Sequence, residues 1–430
     1  MKIAFLLTQS LEDPSGLGRY FPLTKELTRL GNEVSILALH PNLGGLSQRR
    51  LQVNGVKVHY VGQMHVRKVG SQKTYFSTLG LVRVALASSL RMSFRALLEE
   101  TDVIHLGKPH PMNGVAALGA KFLRGKRLYL DCDDYEADSN RFSGRWQRAV
   151  VALFEDHLPR FASGMTVNTR FTQQRNVALG FPAERIVYVP NGVDRDRFAN
   201  VDHKKVQHLR RELGLDDKKV IAYVGSMSLA NHPVDLLLEA FAIVRRRCSD
   251  AVLILVGGGE DYDFLRRRAE ELGLGEVAIW VGRVKPEAVP YYLAVADVSA
   301  EPVHDDLTAR ARSPLKVFES MALGVPVVTG DVGDRRSILG APPQSPPPLR
   351  PSLRPRSGQG SGQALVGKFC DGQAGMLVKP GDAQALAEGI GAVMEDSDWA
   401  QAMGEAALRL RERYYWDVLA QDFVEIYASS

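Results

Sequence analysis

The feature that most constrains this chain is an alternation of short apolar runs with longer amphipathic ones, played out twice. In the first half, residues 2–8, 33–40, 56–61, 102–106, 127–132, 165–168 and 186–189 read as strands, mostly with helical patterns between them; 19–30 and 75–99 read as helices. In the second half, 219–225, 251–257, 277–281, 298–301, 325–329 and 376–378 read as strands. Residues 233–246, 262–272, 287–295, 315–323 and 383–394 read as helices, and 399–427 as a helical ending. Strand–helix alternation predicts parallel sheets with helices on both faces. A chain of 430 residues is too long for one ordinary core. The expected class is therefore α/β, with two doubly wound, Rossmann-like domains facing across a cleft. Turn residues cluster at Pro190-Asn191-Gly192, just after a strand. They divide the chain into a domain of residues 1–195 and one of 196–404, with a last helix of about 405–430 expected to pack back on the first domain. Ligands of such sheets bind beyond the carboxyl ends of the strands, so the cleft is the expected site.

Composition narrows the class. Apolar residues are 45% and charged residues 24% of the chain, which excludes a wholly disordered, collagen-like or coiled-coil protein. No run of about 18 uncharged apolar residues occurs. Cys132, Cys248 and Cys370 lie far apart and form neither a metal-ligand spacing nor a disulfide framework, so a reducing, cytoplasmic setting is expected and no metal. The net charge of +5 is unevenly spread: nine basic residues and no acidic one lie between Glu33 and Glu99. Such asymmetry suggests an anionic partner, or a solvated basic face with none. Nucleic acid is the weakest candidate, because no binding module is present. Residues 75–98 and 141–160 are basic and amphipathic. That pattern suits contact with the inner face of an anionic membrane, and equally suits burial against a core. Residues 341–363 hold seven prolines, three arginines and no acidic residue. They read as a disordered insertion.

The chemistry concentrates in Ser313-Pro-Leu-Lys-Val-Phe-Glu-Ser-Met-Ala-Leu-Gly-Val-Pro-Val-Val328. Ser313 fits a helix N-cap and Pro314 a first turn. Free N–H groups and the dipole at such a start favour phosphate. Lys316 and Glu319 are three apart and share a face. Lys316 could neutralise a diphosphate and Glu319 could accept from a ribose diol. Asp131-Cys-Asp133-Asp134-Tyr-Glu136 follows an apolar strand, so its carboxylates should stand at the strand's carboxyl end. Asp133 or Asp134 could orient an acceptor hydroxyl or act as a base.

The block at 313–328 resembles the nucleotide-sugar site of the GT-B glycosyltransferases, family GT4. Eight further pieces resemble the same family in the same order. They include the first strand with its Gly16/Gly18 loop, Val189-Pro-Asn-Gly-Val-Asp194, Leu253-Ile-Leu-Val-Gly-Gly-Gly259 and Ala374-Gly-Met-Leu-Val-Lys-Pro-Gly-Asp382. The resemblance implies transfer of a sugar from a nucleotide-diphosphate donor to an acceptor hydroxyl with retention of configuration, in polysaccharide, glycolipid or glycoside synthesis. Glu319 would hold the ribose, and the backbone of Pro314, Leu315 and Lys316 would meet the diphosphate. Arg283 and Val284 would frame the base, and Gly18 would approach the phosphates from the other domain. No cofactor is implied beyond the donor itself.

Three positions depart from the family. Ala311 stands where a Glu is usual, eight residues before Glu319. Ser226 and, approximately, His232 stand where an Arg and a Lys usually meet the leaving group. Lys316 is the first replacement, with Arg283, Arg310, Arg312 or a protonated His232 as further cations. These losses keep open a non-catalytic sugar-nucleotide-binding homologue, and the architecture is shared with GT-B epimerases.

Overall fold

The computed structural model describes residues 1–12, 15–69, 72–140, 142, 144–342 and 373–428. Two separate sheets carry the fold. The first holds β1 (Lys2–Leu7), β2 (Glu33–His40), β3 (Arg50–Val53), β4 (Val56–Gln63), β7 (Val103–Gly107), β8 (Arg127–Cys132), β9 (Gly164–Val167) and β10 (Ile186–Tyr188). Their order is β10-β9-β8-β7-β1-β2-β4-β3, parallel throughout except for the β3–β4 pair. A hairpin of β5 (Val66–Val69) and β6 (Gln72–Tyr75) stands apart. The second sheet holds β11 (Lys219–Val224), β12 (Ala251–Val256), β13 (Ala278–Gly282), β14 (Val298–Glu301), β15 (Val327–Gly330) and β16 (Gly375–Val378), in the order β13-β12-β11-β14-β15-β16 and all parallel.

The expected strands form within one or two residues of their expected bounds because their apolar runs are buried on both faces. Phe5, Leu6 and Leu7 have no exposed surface, nor have Leu253, Ile254 and Leu255. Three strands escaped the alternation. Strand β3 is an edge strand that alternates exposed and half-buried residues, so it lacks an apolar run. Its signal lay in the turn: Asn54 and Gly55 both have positive φ, 50° and 84°, as a two-residue hairpin requires. Strands β5 and β6 are polar and basic. They also correct the helix expected from residue 75: Tyr75 ends β6, and the helix runs Thr78–Leu98 behind an N-cap, Ser77, whose hydroxyl accepts from Gly80 N at 3.3 Å.

The helical ending is broken. Ser397–Leu410 belongs to the second domain, a tight turn spans Arg411–Tyr414, and Trp416–Ala428 packs on the first sheet. Trp416, Phe423 and Tyr427 share a core with Phe5, Tyr20 and Tyr129. Burying each such aromatic stabilises by roughly 1.5–3 kcal/mol, so this helix fastens the two halves of the chain together. The proline-rich insertion falls, from residue 343 onward, outside the described residues. No described helix is long and apolar enough to cross a membrane.

Candidate active site

The carboxyl ends of the two sheets face one another. On the second domain, β11 ends at Val224, and Gly225 and Ser226 follow. The helix Leu315–Ala322 buries Val317, Phe318 and Met321 in the core. That packing leaves Lys316 and Glu319 half-buried on the opposite face. Lys316 Nζ lies 3.3 Å from His232 Nδ1 and 5.4 Å from the centre of the Tyr223 ring. A Cβ on Gly225 would stand 2.2 Å from Lys316 Cε, so only glycine lets the ammonium lie across this strand end. Burial lowers the Lys316 pKa to about 8, with Glu301 opposing and Arg312 and Arg335 reinforcing.

His232 is not the protonated cation expected as one alternative. Burial and the charges of Lys316 and Arg312 hold its pKa well below the usual imidazole value. The neutral ring instead accepts from Lys316 and aims it. Ser226 offers no charge, and its carbonyl accepts from Tyr223 OH at 2.6 Å. Of the other proposed cations, Arg310 is held by Asp305 at 2.6 and 2.9 Å. Arg283 is exposed beside the half-buried Val284. Arg312 is the one that enters the cleft: Nη1 donates to Asn231 O at 2.7 Å, and Nε stands 3.9 Å from Asp134 Oδ1 of the first domain.

Burial raises the Glu319 pKa, with Arg197 and Lys316 opposing. Arg197 also donates to Pro286 O at 2.9 Å, linking Glu319 to the loop after Val284. No pattern in the sequence singled out Arg197. Ser313 does not cap the helix; Pro314 occupies the N-cap place and has no side chain to bond the first turn. The Ser313 hydroxyl accepts from Asn191 N at 2.9 Å, a contact between distant segments that local sequence does not encode. Gly18 faces Leu315 across the cleft, where a Cβ would stand 2.5 Å from Leu315 Cδ1.

On the first domain, Lys108 gathers the carboxylates that follow β8. Its Nζ lies 3.2 Å from Asp133, 2.9 Å from Asp134 and 2.8 Å from Glu136. The three carboxylates bring one oxygen each within 4.8 Å of one another, a spacing a metal would accept. The Lys108 ammonium is the cation at their centre. Burial raises Asp133 to about 7, with Lys108 opposing and Asp134 and Asp131 reinforcing. Lys108 has φ 66°, rare for a residue with a side chain, and was not singled out from the sequence. Asp131 is spent elsewhere, accepting from Arg19 Nε and Nη2 at 2.7 Å each. Asp133 is buried, whereas Asp134 lines a cavity of ≈ 250 Å³ between the domains, with Thr8, Gln9, Lys108, Asn231 and Arg312. His105 is a core residue: it is stacked on Phe5 and bonded to Tyr427 OH at 2.7 Å.

Two family profiles match this architecture in order. "Glycosyl transferase 4-like domain" matches residues 15–192, and "Glycosyl transferases group 1" matches 205–341. The chain belongs to the GT4 glycosyltransferases.

Among its relatives, a GDP-mannose-dependent alpha-(1-6)-phosphatidylinositol monomannoside mannosyltransferase of Mycolicibacterium smegmatis is 29% identical over 57% of this chain and 56% of that protein. A D-inositol 3-phosphate glycosyltransferase of Corynebacterium urealyticum is 28% identical over 57% of this chain and 51% of that one. The chain thus spans about half the length of these relatives. Anabaena HepE, solved in complex with UDP-glucose, superposes over 100% of both chains with a TM-score of 0.69 and 20% identity. The GT-B fold expected from the sequence is therefore the fold observed. As a GT4 chain it keeps the ordered motifs and lacks the usual Arg/Lys pair. Ala311, in place of the usual Glu, is fully buried against the core.

Proposed function

We propose that this chain is a retaining glycosyltransferase. It takes a nucleoside-diphosphate sugar on the second domain and passes the sugar to a hydroxyl held against the first. The observation that carries this reading is the convergence of Lys316 and Arg312 at the carboxyl end of β11, within reach of Asp134 across the cleft. The reaction breaks the bond between the anomeric carbon and the diphosphate. It forms a bond from that carbon to the acceptor oxygen on the same face and passes the acceptor proton to the departing diphosphate. Negative charge grows on the departing diphosphate, and fixed cations in a site closed to water stabilise it. Lys316 and Arg312 supply those cations in place of the family's usual pair. Tyr223 and the neutral His232 keep Lys316 in line.

Glu319 takes the ribose hydroxyls, Arg283 and Val284 border the base, and the helix start at Pro314, Leu315 and Lys316 faces the diphosphate. Gly18 closes the opposite side. Asp134 orients the acceptor hydroxyl in the cavity, and buried Asp133 holds Lys108 in place. The reaction needs no metal, since side-chain cations carry the charge. The acceptor is a glycan, a lipid or a small molecule. The UDP-glucose bound by HepE and the GDP-mannose dependence of the mannosyltransferase both support the donor class and leave the base open.

A thermal-shift screen against UDP, GDP, ADP, CMP and their sugars, repeated with Glu319→Ala, tests the reading. A ligand that binds only the folded state raises the melting temperature by mass action. Stabilisation by one diphosphate family, lost in the variant, is the expected result. No stabilisation by any of them at millimolar concentration would sink the transferase reading.

A further inference from the structure

The helix Thr78–Leu98 is inside out. The residues it buries are Ser88, Met92 and Ala96. The residues it turns to solvent include Leu86, Leu90 and Phe94, which are 62%, 70% and 63% exposed. A helix that simply covers a core does the reverse. Its neighbours continue the face. Helix Pro111–Arg124 packs along it and exposes Phe122 and Leu123; helix Arg145–His157 follows and exposes Trp146 and Leu153. Phe122 meets Phe161 edge-on with 5.9 Å between ring centres, so the patch is continuous across elements. Thirteen of the twenty-one large apolar side chains exposed among the described residues lie on these three helices and the turn after the third. Isolated exposed leucines are ordinary, but a contiguous apolar face marks a contact site.

Charge decides what covers it. The helix Thr78–Leu98 contains no carboxylate. Arg83 and Arg91 lie within its exposed face, and Arg124 and Arg160 lie on the neighbouring elements. None of these four has a carboxylate partner among the described residues, whereas Arg95 and Arg148 pair with Glu99 and Asp138. A second copy docking through the same face would bring these unpaired arginines against their own images. An anionic lipid surface accepts both halves of the pattern, with apolar side chains entering the acyl boundary and arginines meeting the phosphates.

We infer that this face of the first domain docks on an anionic bilayer, with helix Thr78–Leu98 lying in its plane. The helix starts three residues after Tyr75, which lines the interdomain cavity and donates to Glu260 at 3.1 Å. Docking therefore brings the lip of that cavity to the membrane surface. The inference does not depend on the transfer chemistry.

Co-sedimentation of the full chain with phosphatidylcholine vesicles, and with phosphatidylcholine–phosphatidylglycerol vesicles, reads the docking directly. The wild type should bind the anionic vesicles alone, and less as salt rises. The variant L86Q/L90Q/F94Q should lose binding at least about tenfold, and R83E/R91E at least about 30-fold. F264Q, which removes an exposed apolar residue elsewhere, should bind like wild type. These positions are exposed, and unchanged melting temperatures confirm that the variants fold. Equal binding to neutral vesicles, no binding to either, or undiminished binding of the apolar triple variant would overturn the inference. So would a dimer that the triple variant turns into a monomer without any vesicle binding, which would assign the face to a second copy.

Discussion

Asn191 and Ser313 are bonded twice: the Asn191 backbone N–H donates to Ser313 Oγ at 2.9 Å, and its Nδ2 donates to Ser313 O at 2.8 Å. Asn191 stands in the linker between the domains, and Ser313 stands just before the helix that carries Lys316 and Glu319. The Asn191 side-chain oxygen also accepts from Arg19 Nη1 at 3.1 Å, and Arg19 is locked to Asp131, two residues before Asp133. The donor helix and the carboxylates after β8 are thus referred to one buried frame. Ser313→Ala leaves a buried N–H without its acceptor, at a cost of about 1–3 kcal/mol. Chemical denaturation should show that loss, together with a lower kcat.

Lys316→Met should lower kcat/KM by about 100- to 1000-fold, the usual effect of removing one group that stabilises transition-state charge. The melting temperature without nucleotide should change little or rise, because a partly desolvated cation is removed. Steady-state kinetics beside thermal unfolding separates the two. A fall in activity of less than about threefold would move the leaving-group role to Arg312.

Two groups should set the pH profile of kcat/KM. Asp133 titrates at about 7 and Lys316 at about 8 in the free protein. As pH falls through 7, Asp133 takes a proton and Lys108 loses one of its three carboxylates. As pH rises through 8, Lys316 loses its charge. The expected curve is a narrow bell. The alkaline limb should move upward in kcat, because a bound diphosphate favours the ammonium.

His105 ties stability to pH. Burial lowers its pKa to about 4, with Asp131 opposing and Arg19 reinforcing, against about 6.5 in the unfolded chain. The unfolded chain therefore binds the extra proton first. Stability is full above 6.5 and falls as pH drops towards 4, by on the order of 3 kcal/mol from this one residue. Urea denaturation at pH 7.5 and pH 5 should show the loss, and His105→Gln should reduce its pH dependence.

Gly18→Ala places a methyl where Leu315 now rests. The Leu315 side chain, which reaches across the cleft, must then shift at the donor site. Donor KM should rise and kcat fall, while the unfolding midpoint moves by less than the change Ser313→Ala produces.

Strand–helix order and the helix bearing Lys316 and Glu319 were legible in the sequence, because each is encoded locally. Apolar runs buried on both faces make parallel strands whatever lies beyond them, and spacings of three or four residues set a helix face. The same reasoning missed β3, β5 and β6, which are four residues long and carry no uninterrupted apolar run. It also gave Ser313 a capping role, since a local rule cannot see Asn191 122 positions away. Which cations enter the cleft was decided by tertiary structure. Arg310 and Arg312 are two residues apart and chemically alike, yet Asp305 holds one outward while Asn231 draws the other toward Asp134. The charge state of His232 and the clustering of Asp133, Asp134 and Glu136 on Lys108 belong to the same category. They depend on burial and on partners from distant strands, and electrostatic energy depends on distance in space rather than along the chain.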